Sequence, residues 1–432
     1  MEAAFHTVDR RRRRAMRCAV WAAFVAAAAA LMGGLVLGGA TWPAVTAGGL
    51  ATLAGLAVGD RWMREPGGAP VLCYHSISDE GWVPWASCIV SIETFERHLG
   101  VLARGGFTVM RLRDLVAIRL AGGRLPPRPV AVTFDDGYLD NWVAALPLLR
   151  RHGIPATIFV SLDFIEEGEN PRATLDDRER GRVGPEAVGW AGYLNWAELR
   201  AMQDGGVFDV LPHGVDHGWV ETGPRVVASL SAENWRRLAW VQWRVMAGSK
   251  AGWYRAATPA FVPLGTPVRE NAPALAARAW DPDRGLESDE SYAARVRGDL
   301  ERSKRELEER LGRGVDIFCW PNNGTNDTAR AIAAEVGYAA TTGGRGENRP
   351  GEDPRVISRL GVGDRIAGWR WPAAEALGMY AALRVFQGNY YWFYLLVGFA
   401  ALRRLHGLLE GWRRAPTADL SAAARPVAWR GD

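Results

Sequence analysis

Two places in the sequence gather side chains that could hold a cation and move a proton. At Thr133-Phe134-Asp135-Asp136-Gly137, two carboxylates close an apolar run, and the glycine behind them lets the backbone turn. Adjacent ionised carboxylates repel, so a cation or a proton must lie beside them, and a metal ligand next to a general base is a natural division of labour. The competing role is a helix N-cap, which Asp at a strand-to-helix turn commonly fills, and an isolated Asp-Asp-Gly favours that role. At His213-Gly214-Val215-Asp216-His217, two imidazoles sit four residues apart. On a helical turn they share one face and reach a common ion, whereas along an extended strand they would lie roughly 13 Å apart. The pair therefore needs a turn after Leu211, which Pro212 and Gly214 permit; otherwise these are two unrelated loop histidines. Two histidines with a carboxylate from another strand end make a three-ligand site with open positions for water and substrate.

The elements that must position these groups alternate in character over residues 66–364. Val71 to Tyr74, Val130 to Phe134, Ala156 to Ser161, Val207 to Leu211, Val315 to Trp320 and Tyr338 to Thr342 read as strands. Glu93 to Arg104, Leu139 to His152, Trp196 to Gln203, Tyr292 to Leu311 and Asp327 to Val336 read as helices between them. That order predicts an α/β fold with a parallel sheet or barrel and helices outside. Residues 218–288 form a tryptophan-rich insertion in which no period emerges and several prolines break any helix, an excursion from the core. Trp190, Trp196, Trp219, Trp235, Trp240, Trp243 and Trp253 cluster around the His213–His217 motif and this insertion; flat rings suit pyranose faces, but for any one of them core or membrane-interface packing is the favoured role. The acidic stretch Asp163, Glu166, Glu167, Asp176 and Asp177 reads as a solvated loop that could attract a cationic product.

The flanks read differently. Basic residues from Arg10 to Arg17, within a segment 1–17, precede 42 uncharged residues, Cys18 to Gly59. As helix these would extend roughly 63 Å, about twice a ~30 Å hydrocarbon core. Broken at Gly38, Gly39 and Pro43, residues 18–60 are expected to form one or two transmembrane helices rather than a cleaved signal, whose apolar region is normally only ~7–15 residues. Val385 to Leu402 is a second uncharged stretch, with Tyr390, Tyr391, Trp392, Phe393 and Tyr394 resembling an interfacial aromatic belt, so residues 365–414 are expected to span or lie on the bilayer. Residues 415–432 read as a disordered tail. The net charge of +4 is explained by arginines beside apolar segments, where anionic lipid accounts for them, and nucleic acid is not expected as a partner. Cys18, Cys73, Cys88 and Cys319 show no CxxC spacing and leave the redox compartment open.

Taken in order, TFDDGY, the HGVDH pair and FCWPNNGTN resemble the polysaccharide deacetylase family, carbohydrate esterase family 4, with its NodB-like domain. VLCYHSI, PATIFVS and SYAARVRGDLERSKRELEERLG are similar to the biofilm poly-N-acetylglucosamine deacetylase branch. The resemblance covers roughly residues 71–360. It implies a distorted (β/α)7 barrel, with Asp136, His213 and His217 as metal ligands and Asp135 as the base that takes a proton from the attacking water. It implies His75 as the general acid and the backbone N–H of Asn322 as an oxyanion donor, with Trp219, Trp320 and Pro321 against the sugar. The cofactor would be a divalent metal, Zn2+ first, with Ni2+, Co2+ or Fe2+ as alternatives. The reaction implied is hydrolysis of N-acetyl groups on a polysaccharide or glycan. Alternatives are a deformylase or deacetylase of a lipid-linked amino sugar, and a catalytically silent carbohydrate-binding module of an exopolysaccharide assembly system. Much of the family has Arg-x-Pro-Tyr where this chain has Cys319-Trp320-Pro321-Asn322, so the arginine that orients the base carboxylate is missing, and Arg359 is one candidate cation to substitute for it. Expected partners are an N-acetylated glycan, membrane lipids and exopolysaccharide synthesis or export machinery. The expected location is the bacterial inner membrane with the catalytic domain outside; positive-inside logic for an N-terminal hairpin gives the opposite side, and one crossing at each end satisfies both.

Overall fold

The structure, a computed structural model, describes residues 67–389 and 392–413 together with scattered positions between 26 and 50. The expected N-terminal membrane segment therefore lies almost wholly outside the described residues, as do the basic segment 1–17 and the tail 415–432.

Short, predominantly apolar strands, largely buried on both faces, suit a parallel sheet covered by helices. They are β1 (Val71–Tyr74), β2 (Pro129–Phe134), β3 (Ala156–Val160), β4 (Phe208–Pro212), β5 (Ile317–Phe318), β6 (Ala340–Gly344) and β7 (Val356–Ser358). β1 pairs with β2, β2 with β3 and β3 with β4, all parallel. The ring continues where the Cys319 N–H donates to the Pro212 carbonyl at 3.0 Å, and then through parallel pairing of β5 with β6 and β6 with β7. One residue beyond β7, Leu360–Gly361 returns to pair with β1, so seven parallel positions close on themselves. Tyr74, Phe134 and Phe208 form an aromatic layer on the helix-facing side of the sheet: Tyr74 stacks on Phe134 at 5.4 Å and meets Phe95 edge-on at 5.2 Å, and Phe208 meets Phe134 edge-on. Around the barrel run α1 (Ile92–Arg104), α2 (Leu112–Leu120), α3 (Leu146–His152), α4 (Trp196–Asp204), α5 (Asp289–Leu311) and α6 (Asp327–Val336). Two further helices, α7 (Pro372–Phe386) and α8 (Phe393–Arg413), follow the last strand.

Three expectations change in the structure. The helix read from Leu139 to His152 is a π-helical segment, Asn141–Ala145, leading into α3, which lets Asp140 and Asn141 point back at the β1 loop. The insertion is not an excursion without a core: Trp219–Ser229 and Pro267–Pro273 form an antiparallel pair, and Trp235, Trp240, Trp243 and Trp253 bury themselves with Val83, Phe164 and Tyr193 in a second core at the barrel rim. The uncharged stretch 385–402 does not form one helix, because α7 ends at Phe386 and a turn at Gly388 separates it from α8. Among the described residues, no helix is long and apolar enough to cross a membrane.

Candidate metal and proton-transfer site

Every group named from the sequence as chemically active sits at or just beyond the C-terminal end of a barrel strand. That is the end where α/β barrels place their sites, because the loops there vary while the strands hold register. Asp135 follows β2, and its N–H donates to the Tyr74 carbonyl at 2.9 Å. His75 follows β1, and His213 follows β4 with its N–H bonded to the Val160 carbonyl.

Asp136, His213 and His217 each offer one ligand atom, and all three lie within 4.8 Å of one another. Asp136 Oδ1 is 3.4 Å from His213 Nε2 and 3.5 Å from His217 Nε2. The two histidines do not share a helical turn as the spacing suggested. The segment is an irregular bend in which Gly214 has φ +79° and His217 φ +50°. Asp136 also has positive φ, at +71°. Non-glycine residues held there carry local strain of order 1–3 kcal/mol, which persists where surrounding structure over-determines the conformation.

These residues fit a divalent cation on three counts. Asp136 Oδ1 is buried and accepts no hydrogen bond, which for a carboxylate oxygen is costly unless a cation takes that place. His213 Nδ1 lies 2.9 Å from the Cys319 carbonyl and, facing an acceptor, must carry its proton there, leaving the Nε2 lone pair aimed at Asp136. Two imidazoles and one carboxylate are the donor set of many hydrolytic metal centres. The charges of Asp136 and His217 agree with this, while burial at His213 is overridden by the Asp135 and Asp136 carboxylates, which raise its pKa above the ordinary imidazole value. Burial opposes ionisation of Asp136, but its contacts with His213, His217 and His75 hold the carboxyl far below the usual carboxylate range. His217 is held below the ordinary imidazole value mainly by burial, against the pull of Asp136, so it stays a neutral ligand.

Asp135 stands beside this trio in a different environment. Burial alone would raise its pKa, but Arg359 overrides burial and lowers it to about 2. Arg359 Nη1 and Nη2 donate to the two carboxylate oxygens at 2.6 and 2.8 Å, and both side chains are 3–4% exposed. Arg359 lies between β7 and Leu360, at the strand end that closes the barrel, and its Nη2 also donates to Asn323 Oδ1. It is the cation that the sequence offered in place of the family's arginine, and it contacts the same carboxylate. Two thiols that the sequence reading left without a role flank the same carboxylate: Cys73 Sγ at 3.5 Å and Cys319 Sγ at 3.7 Å. Burial keeps the Cys73 thiol protonated, so it donates to Asp135. Its position two residues before His75 on β1 placed it on the same face of that strand, a signal available in the sequence.

His75 Nε2 is 4.0 Å from Asp135 Oδ2, and the ring is partly open to solvent. Its loop is tied down from beneath, since Asn141 Nδ2 donates to the His75 carbonyl and buried Asp140 accepts from Ser76 Oγ and the Ile77 N–H. Asn322 is exposed and, like Asn323, has positive φ, in a short turn that Pro321 begins.

The proposed sugar contacts fare unevenly. Trp320 is fully buried and packs edge-on against Phe318, so its ring has no face for a pyranose. Pro321 is buried too and lies close to Gly214. Trp219 is half-buried, tilted against Trp240 at the edge of the second core. The acidic stretch is largely neutralised by Lys250, Arg302, Arg172, Arg255, Arg151 and Arg182 rather than left as a solvated loop.

Residues 122–256 match the sequence profile of the polysaccharide deacetylase family. The chain carries a polysaccharide deacetylase domain. Over 101 residues, 23% of this chain, the deacetylase domain is 33% identical to YxkH of Bacillus subtilis (strain 168), a protein named for the same family. The matched stretch spans about a third of that relative, 34% of its length. Among solved structures, a de-N-acetylase from Aggregatibacter actinomycetemcomitans has a TM-score of 0.47 at 20% identity, over 68% of this chain and 94% of its own. The BpsB deacetylase domain from Bordetella bronchiseptica gives 0.44 at 21%, over 69% and 97%. IcaB from Ammonifex degensii gives 0.43 at 20%, over 68% and 92%. At such scores and identities these likenesses carry no functional weight.

Proposed function

We propose that this chain is a metal-dependent N-deacetylase that hydrolyses N-acetyl groups of a glycan, releasing acetate and a free amino sugar. The observation that carries the reading is the juxtaposition of two carboxylates in opposed settings. Asp136 points an unsatisfied oxygen at His213 and His217, while Asp135 is clamped as an anion by Arg359 between that trio and His75. A glycoside hydrolase would need its carboxylates on opposite sides of a bond, ~5 Å or more apart.

A divalent cation held by Asp136, His213 and His217, Zn2+ first and Ni2+, Co2+ or Fe2+ as alternatives, would polarise an amide carbonyl and lower the pKa of water. Asp135, ionised at any physiological pH and fixed in direction by Arg359, accepts the proton of the attacking water. His75 hands a proton to the departing amine from the solvent side. The Asn322 backbone N–H supports negative charge developing on the carbonyl oxygen. The substrate proposed is an N-acetylated exopolysaccharide, and the setting a bacterial inner membrane with the barrel outside.

Acetate release from an N-acetylglucosamine oligomer by the full chain, with metal added or chelated, tests this. Metal-dependent acetate release is the expected result. A chain that binds metal and glycan yet frees neither acetate nor formate from any amide would overturn the enzymatic reading.

A further inference from the structure

Helix α8 faces the wrong way for a helix bathed in water. Its inward side is small: Leu395 and Phe399 pack on Ile366, Ala367 and Ala374, and the His406 ring lies 5.4 Å from Trp369. Its outward side carries Val397, Leu402, Leu405, Leu408 and Leu409, exposed by 39 to 65%. At 100° per residue these five fall within an arc of roughly 140°, bordered by Arg404, while Arg403 lies on the side that feels Glu375. An amphipathic helix normally buries its apolar arc, so this one is presented to a partner.

Several features single out lipid as that partner. The helix is 21 residues, roughly 31 Å, and does not qualify to cross a bilayer, so it can lie along one. At its C-terminal end Trp369 and Trp371 stack at 6.2 Å and 9°, both 40% exposed or more, as interfacial aromatics do. At its N-terminal end a cavity of 810 Å³ is lined by Arg119, Arg124, Arg128, Arg349 and Arg384 together with Glu352 and Asp353, and Arg349 is paired with Glu347. The described barrel begins at this same edge, where Gly67 and Gly68 line the cavity and the Gly68 N–H donates to the carbonyl of Phe386. The apolar arc thus runs from a basic cavity to an aromatic pair on the loop that leaves the open end of the barrel.

We propose that the outer face of α8 lies in the plane of an anionic bilayer, with Trp369 and Trp371 at headgroup level. The barrel then rests on its side, and its open end meets glycan held at the membrane surface. Only this last clause rests on the deacetylase reading.

The test uses the full chain reconstituted into vesicles of phosphatidylcholine and phosphatidylglycerol. Single variants Leu405→Cys, Leu408→Cys and, as control, Arg313→Cys in the exposed turn after α5 carry an environment-sensitive label; the unsubstituted chain gives the background from native cysteines. Labels at 405 and 408 should lose most of their fluorescence to a nitroxide on the lipid acyl chain and resist aqueous iodide, with the reverse at 313. Quenching by iodide at 405 and 408 would overturn the proposal. Protection from both quenchers would overturn it too, because protein, either residues 18–59 or a second copy, would then cover the face. Acetate release from a soluble oligomer, measured on the same samples, reports the deacetylase reading separately.

Discussion

Replacing Arg359 by Met removes the only cation in direct contact with Asp135 among the described residues while keeping most of the side-chain volume. With Arg359 in place, the Asp135 pKa falls from 3.8 to about 2, which corresponds to roughly 2–3 kcal/mol of stabilisation of the anion. Because the folded pKa is depressed, that contribution is present above about pH 4 and is lost as pH falls towards 2. In Arg359→Met the carboxylate stays buried without its partner, and breaking such a pair costs about 3–5 kcal/mol. In Asp135→Asn the guanidinium is stranded instead. The double variant removes both charges, so chemical denaturation at pH 7 should show it far less destabilised than the sum of the singles, with a coupling of about 2–3 kcal/mol. The acid side gives a second reading: the margin between the parent and the double variant should narrow as pH is lowered towards 2. Turnover of Arg359→Met should fall about 10–100-fold with metal content kept. Additivity of the two singles within about 0.5 kcal/mol would refute the assignment of Arg359 as the group that holds the base.

Other outcomes follow from the same geometry. Asp135→Asn should keep its metal, by elemental analysis, and lose at least about 100-fold in acetate release. Asp136→Asn should lose metal instead; added Zn2+ should raise the melting temperature of the parent chain and leave this variant unmoved, by scanning calorimetry. Lys250, buried and bonded to Asp163 and Asp216, ties the insertion to the bend between His213 and His217, so Lys250→Met should destabilise the fold by about 3 kcal/mol or more and weaken metal binding in a titration. Asp299 carries a pKa raised to about 7, first by burial and then by Asp216. The folded state therefore keeps a proton that the unfolded chain releases, and stability falls as pH rises from about 4 to 7. Asp299→Asn should flatten that slope in denaturation curves taken across the interval.

Local pattern carried a good deal of this protein. Apolar runs ending in Asp135, His213 and His75 were visible as strands with chemistry at their ends, since strand and helix periods are short-range properties of the chain. Two acids in succession and two histidines four apart restricted the chemistry before any contact was known. The cation that holds Asp135 was named only as one candidate, because Arg359 lies 224 residues away and meets it when the last strand closes on the first. Pairing of β1 with β2 sets Cys73 against Asp135, and Cys319 reaches the same carboxylate from beyond the end of β5. The bend at His217 and the burial of Trp320 had no local signature. The first depends on positive φ values tolerated for contacts elsewhere, and the second on which side of a two-residue strand faces the core. The tryptophans of the insertion divide the same way. Their number was plain in the sequence, but an indole serves equally well as core filler or sugar platform, and only packing against Tyr193 and Phe164 made these rings core.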